Sequence, residues 1–195
     1  MKTTALFLAA LAAVSAAGVR AEVITFDGLT GGNGSAFTTY TEAGFTVTPT
    51  TGSWYQGTSF GDPTPSLVSG GVFGGPADNS ITITNGGQFT FTSIDFAGST
   101  TSDADYTFTG TLGGSNVFTV TGVEPPPQVF STILSGVSGD IIDTLVIETD
   151  LVSNDANQSV NLDNIVVNSS ATPEPGTMGL IAAGLTLLGF IKRRS

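Results

Sequence analysis

Between residues 22 and 171 the chain alternates apolar residues with threonine in many short runs, and this two-residue period limits the fold most strongly. Such a period puts aromatic and aliphatic side chains on one face of a strand and threonines on the other, as in antiparallel sheets with one solvated face. The clearest runs are residues 24–26, 45–48, 81–84, 89–92, 106–109 and 118–121, and further strands are expected at 141–149 and 159–168.

Glycine, asparagine and proline clusters separate these runs, as expected of turns. They are residues 31–34, 85–87, 113–114 and 125–127. No stretch between residues 22 and 170 has the pattern of a long amphipathic helix. Nine or ten short strands predict an all-β fold, a two-sheet antiparallel sandwich that is jelly-roll-like.

The charges are strongly segregated. All five basic residues lie near the two ends of the chain, whereas 15 of the 16 acidic residues lie between Glu22 and Ala171. That segment has no Lys, Arg or His, so it can form no internal salt bridge. Binding to nucleic acid through phosphate neutralisation is therefore excluded, and adhesion to anionic lipid is disfavoured.

The missing residue types also exclude most enzymatic chemistry. Without His, Lys or Cys, this segment offers no Ser-His or Ser-Lys nucleophile, no thiol nucleophile and no histidine zinc site. Carboxylate-pair glycoside hydrolysis stays open, but no carboxylate pair stands out. We predict that the protein is not an enzyme, and a glycoside-active enzyme is the less favoured alternative.

The N-terminus has the pattern of a secretory signal peptide. Lys2 is followed by an apolar stretch over residues 5–17, and Val19 and Ala21 are small residues at the usual −3 and −1 positions. We predict a signal peptide over residues 1–21, with cleavage after Ala17 as the alternative because Arg20 is untypical beside a cut. The segment 22–171 is then an exported domain.

The C-terminus predicts a short transmembrane helix over about residues 177–191. Residues 176–191 carry no charge and would span roughly 24 Å at about 1.5 Å per residue. The bilayer core is about 30 Å thick, so the basic tail of Lys192, Arg193 and Arg194 would reach to the far interface. A helix packed on the domain is the alternative.

Pro173-Glu174-Pro175, a short apolar helix and a terminal basic tail, in that order, resemble the PEP-CTERM sorting signal of bacterial exported proteins. The resemblance covers residues 172–195 and implies recognition of Pro173, Glu174 and Pro175 by an exosortase-type membrane enzyme. It places the domain in the cell envelope or extracellular matrix, anchored transiently in the inner membrane. An ordinary stalk and anchor is the alternative.

Two motifs in the domain resemble the first and last strands of jelly-roll carbohydrate-binding modules. They are Ile24-Thr25-Phe26-Asp27-Gly28 and Leu162-Asp163-Asn164-Ile165. The resemblance implies that these strands pair and share a structural Ca²⁺, for which Asp27, Asp163 and Asn164 would supply oxygen ligands. The alternative is that Asp27 and Asn164 only cap turns.

Trp54 and Tyr55 are the candidate glycan-stacking residues, because aromatic rings beside polar side chains often stack on sugar rings. Packing of Trp54 in the core is the alternative. We therefore expect a non-enzymatic envelope or matrix protein associated with exopolysaccharide. The second hypothesis is a calcium-stabilised carbohydrate-binding module.

Overall fold

The computed structural model describes residues 20–73, 78–98, 104–123, 129–151 and 159–169. Residues Ala21–Ser169 form one compact unit. The described residues contain eleven strands and one 3₁₀ turn, Gly70–Phe73. The strands are β1 (Arg20–Ile24), β2 (Tyr40–Glu42), β3 (Phe45–Thr51), β4 (Trp54–Gly57), β5 (Ser66–Ser69), β6 (Asn79–Gly98), β7 (Ala104–Leu112), β8 (Ser115–Val123), β9 (Ser131–Leu134), β10 (Ile142–Leu151) and β11 (Val160–Ser169).

The all-β prediction is confirmed, since β2 to β11 pair antiparallel with their neighbours and the 3₁₀ turn is the one helical element among the described residues. The predicted pairing of the first and last strands is also found, because β1 pairs with β11. The Gly113-Gly114 turn joins β7 to β8 as a two-residue hairpin, with positive φ at both glycines.

All eleven strands belong to one hydrogen-bonded sheet rather than to two separate ones, and the long strand β6 belongs to both of its layers. Its first part, residues 79–84, pairs with β3 and β10, and its second part, residues 89–98, pairs with β11 and β9. Between them Gly86 has φ +71°, and the Gly87 N–H donates to the Asn85 side chain at 2.9 Å. The expected turn at residues 85–87 is therefore a bend within one strand, and the two strands predicted on either side of it are continuous.

An aromatic core joins the two layers into a sandwich. Phe91 of β6 meets Phe108 of β7 edge-on, with 5.2 Å between ring centroids, and Phe45 of β3 meets Phe89 of β6 at 5.1 Å. These four rings are buried, whereas the intervening Thr90 and Thr107 are partly exposed. The alternation of apolar residues and threonine thus divides core from surface as predicted.

Several predictions concern residues outside the described ranges. The signal peptide lies there except for residues 20 and 21, which belong to β1. Cleavage after Ala17 would leave β1 whole, whereas cleavage after Ala21 would leave only its last three residues. The C-terminal helix at about 177–191 and the basic tail at 192–195 also lie outside the described residues, within which no helix is long and apolar enough to cross a membrane.

Phe108→Ala should lower the free energy of unfolding by about 3–5 kcal/mol, because it removes a ring that contacts Phe91, Phe96 and Tyr106 in the core. Urea unfolding of the exported protein measures this change. Thr121→Ala, on the exposed face of β8, is the control and should stay within about 0.5 kcal/mol of the wild type. Equal effects of the two changes would contradict the assigned core.

Candidate functional site

The fold brings the predicted calcium-ligating residues close to two further acids. Asp163 and Asn164 lie in β11, Asp95 lies opposite Asp163 in β6, and Asp62 lies in the loop between β4 and β5. Asp27 follows β1 and lies near enough for its charge to act on Asp163. We call Asp27, Asp62, Asp95, Asp163 and Asn164 the carboxylate cluster.

Asn164 owes its position to a β-bulge. The register between β11 and β6 shifts after Asp163, and Asn164 has φ +44°, a left-handed conformation that asparagine tolerates better than most residues. A bulge disrupts the ladder and redirects the side chain. The Asn164 amide accordingly donates to the Asp62 carbonyl and, at 3.0 Å, to Oδ2 of Asp95.

The segment just before Asp27 is held by a carboxylate from strand β2. Glu42 of β2 accepts the backbone N–H groups of Thr25 at 2.7 Å and Phe26 at 3.1 Å. Phe26 is buried with φ +61°, and its carbonyl accepts the Leu29 N–H in a turn. The chain thus reverses at Asp27, whose own side chain remains exposed.

Asp163 is the buried member of the cluster, with no exposed surface. Burial raises the pKa of its carboxyl group from 3.8 to about 6. The backbone N–H groups of Asp62 and Asn164, each at 2.8 Å, lower this pKa, whereas the charges of Asp27 and Asp62 raise it. Asp163 is therefore a desolvated acid held by neutral donors.

Asp95, which faces Asp163 across the strand pair, is also held by neutral hydrogen-bond donors. Like charges directly opposite each other destabilise a sheet. Here the Thr132 hydroxyl donates to Asp95 Oδ1 at 2.6 Å, and the Asn164 amide donates to Oδ2. Neutral hydrogen bonds thus take the role that a basic side chain would have elsewhere.

The donor atoms of the cluster fit a hard cation in type. All its potential ligands are oxygens, and each Asp163 oxygen, having accepted one N–H, keeps a lone-pair site. Across the described parts of the chain, however, no three His, Cys, Asp or Glu residues are grouped closely enough to hold a metal ion. Calcium, which takes six to eight oxygens, would also need the Asn164 amide oxygen, backbone carbonyls or water.

Trp54 lies in the core, which supports the alternative for this residue. Its ring is 2% exposed, and its Nε1–H donates to the Ser80 carbonyl at 3.1 Å. A buried ring offers no face to a sugar, so we correct the assignment of Trp54 as a stacking residue. The polar residues beside Trp54 did not predict its environment, because Trp54 itself lies in strand β4 and its side chain faces the core.

Tyr55 points away from Trp54 along β4 and is partly exposed. Its ring lies against Phe73 of the 3₁₀ turn, with 5.0 Å between centroids. Its role in glycan stacking stays a prediction. The sorting residues Pro173, Glu174 and Pro175 and the basic cluster of Lys192, Arg193 and Arg194 lie outside the described residues.

Asp62 and Asp95 were not predicted from the sequence. Asp95 interrupts an apolar run where the other strands carry threonine, and this departure from the pattern was a usable signal. The sequence signal at Asp62 was weaker, because an aspartate before proline is common in ordinary turns. Its link to Asp163 spans 101 residues and depends on the tertiary structure.

Comparison with known families identifies the C-terminus. The PEP-CTERM protein-sorting motif matches residues 171–195. The chain therefore carries this sorting motif, as its Pro-Glu-Pro pattern predicts, and the motif indicates an exported protein. No curated protein sequence matches the chain.

Among solved structures, similar ones include two carbohydrate-binding modules. The family 32 module of NanJ from C. perfringens, in complex with galactose, is 10% identical with a TM-score of 0.47, over 68% of this chain and 98% of that one. CBM29_1 from Piromyces equi is 13% identical with a TM-score of 0.47, over 78% and 92%. The enzymatically active domain of tailspike protein 4 from bacteriophage CBA120 is 15% identical with a TM-score of 0.42, over 64% and 19%. With TM-scores below 0.5, these similarities decide neither topology nor ligand.

Without metal, the folded protein should lose stability as pH rises from about 4 to about 6. In that range Asp163 keeps a proton in the folded protein that it releases in the unfolded chain. Its contribution to the free energy of unfolding therefore falls by at most about 1.4 kcal/mol per pH unit. Urea unfolding in EDTA at several pH values measures the slope. Asp163→Asn should flatten it, while Asp105→Asn, an exposed control, should not. Identical slopes in the wild type and Asp163→Asn would contradict this account.

Proposed function

We propose that this chain is a non-enzymatic envelope or matrix protein, exported and then processed at its C-terminus by an exosortase-type membrane enzyme. The observation that carries the proposal is the sorting motif at residues 171–195. Pro173, Glu174 and Pro175 are the recognition element, and the apolar segment with its basic tail is a transient anchor in the inner membrane. Two prolines favour an extended, accessible backbone at this point.

The exported part is a β-sandwich that associates with extracellular polysaccharide. Its topology is jelly-roll-like, and the pairing of the first strand β1 with the last strand β11 supports this part of the proposal. Its residue content favours binding over catalysis, since residues 22–171 contain no His, Lys or Cys. Its surface hydroxyls and carboxylates are groups that hydrogen-bond to sugars.

A calcium-stabilised carbohydrate-binding module is the second candidate. The carboxylate cluster favours this candidate, because the buried Asp163 has acidic neighbours and residues 22–171 offer no basic side chain to balance their charge. Asp27, Asp163 and Asn164 would hold the ion. A bound Ca²⁺ would neutralise the acids and tie the end of β1 to β11.

The sorting proposal is tested by mass spectrometry of the C-terminus in a bacterial host that has an exosortase. The released wild-type protein should lack Arg194 and Ser195, because cleavage occurs near the Pro-Glu-Pro element. Replacing Pro173 and Glu174 with alanine should leave an intact C-terminus in the membrane fraction. Glu124→Ala, which removes an acidic residue outside the motif, is the control and should be processed normally. An intact Arg194-Ser195 end on every wild-type molecule would contradict the proposal.

Calcium should raise the melting temperature of the exported protein at pH 7. Ligand present at 100 times its dissociation constant stabilises the folded state by about 2.7 kcal/mol. Asp27→Asn and Asp163→Asn should each abolish most of this gain, whereas Asp105→Asn should keep it. Isothermal titration measures the binding itself. Absence of heat on adding Ca²⁺, together with no change of melting in EDTA, would exclude the calcium site.

A further inference from the structure

The layer formed by β2, β3, β6, β10, β7 and β8 carries rows of hydroxyl groups on its outer face. Residues directly opposite on neighbouring strands lie on the same side of a sheet, so the strand registers define each row. The first row contains Thr41, Thr46, Thr84, Thr144 and Thr111. The second contains Thr48, Thr82, Val146, Thr109 and Thr119. The third contains Thr51, Ser80, Glu148, Thr107 and Thr121.

These three rows, which we call the hydroxyl face, are supported by contacts between their side chains. The hydroxyls of Thr41 and Thr46 are 3.3 Å apart, and those of Thr51 and Ser80 are 2.8 Å apart. With strands about 4.8 Å apart, a row that crosses five strands is roughly 19 Å long. The face is thus much longer than a single sugar ring.

A cleft of about 270 Å³ adjoins the third row. Thr51, Ser80, Glu148 and Thr107 of that row line it. The other lining residues are Asp78, Asn79, Asp105 and Thr149. Ser80, Asn79 and Thr149 are buried, so the accessible groups are those of Thr51, Thr107 and the three carboxylates. Hydroxyls can both donate and accept, whereas carboxylates only accept. This combination suits a ligand that carries many hydroxyl groups of its own.

The charge of the face limits the ligand further. Glu148 is the one charged member of the three rows, and residues 22–171 contain no basic side chain. A polyanion would meet no cation here and would be repelled by the acidic domain. The threonine methyl groups add apolar contact area between the hydroxyls. The complementary ligand is an uncharged, hydroxyl-rich polymer.

We propose that the hydroxyl face and its cleft bind a neutral polysaccharide chain that lies across the strands. The threonine hydroxyls exchange hydrogen bonds with the sugar hydroxyls, and the carboxylates of the cleft accept hydrogen bonds from the sugar units at that end. This inference rests on the proposed association with polysaccharide and names both the surface and the class of glycan. The face is built of polar side chains except for Val146, and it contains no aromatic residue, so it differs from the aromatic site first expected at Trp54 and Tyr55.

Affinity electrophoresis of the full exported chain in detergent tests the proposal. Native gels contain galactomannan or mixed-linkage β-glucan as neutral probes, or alginate as an anionic probe. At least one neutral polysaccharide should retard the wild type, and alginate should not. Thr82→Val and Thr109→Val each remove one hydroxyl and keep the side-chain shape, so each should weaken binding about two- to tenfold.

Thr30→Val, at an exposed loop position that belongs to none of the three rows, is the matched control and should bind like the wild type. Thr119→Val, at an exposed position of β8, replaces either of the first two variants if that variant lowers the melting temperature. Equal retardation of wild type, Thr82→Val and Thr109→Val would overturn the assigned surface but leave polysaccharide association intact. Stronger retardation by alginate would overturn the neutral class. No retardation by any probe would contradict both this inference and the proposed association.

Discussion

The most demanding feature of this domain is a buried carboxylate that residues 22–171 cannot pair with a cation. Asp163 has no exposed surface, and that segment contains no Lys, Arg or His. Burial of an unpaired charge is costly, so the group must be protonated, hydrogen-bonded or bound to a metal ion. The chain supplies the N–H groups of Asp62 and Asn164, and for this the loop between β4 and β5 must reach β11.

The two candidate binding regions use different chemistry on the same scaffold. β6 takes part in both, because its first half contributes Ser80, Thr82 and Thr84 to the hydroxyl face and its second half places Asp95 opposite Asp163. The buried rings between the layers hold these two halves in place. In the proposed role, the carboxylate cluster stabilises the sandwich, the hydroxyl face binds glycan, and the C-terminal motif determines delivery.

The sequence predicted the strands well where one face is buried and the other wet, because the period of two follows directly from strand geometry. It failed where tertiary contacts override local signals. Asn85-Gly86-Gly87 is typical of a turn, yet pairing on both sides keeps β6 continuous. Trp54 stands among polar residues, yet the core encloses it. Asp27, Asp163 and Asn164 were found through a resemblance, whereas Asp62 joins them only through a contact distant in the sequence.

Carbon-detected NMR titration of the Asp163 carboxyl group, in EDTA and then in Ca²⁺, tests this account most directly. Without calcium the pKa should lie near 6, because burial and neighbouring acids disfavour the charged form. Saturating Ca²⁺ should lower it below the ordinary value of 3.8, since a bound cation favours the carboxylate. A pKa near 3.8 in EDTA that calcium leaves unchanged would contradict both the buried, cation-free acid and the metal site built on it.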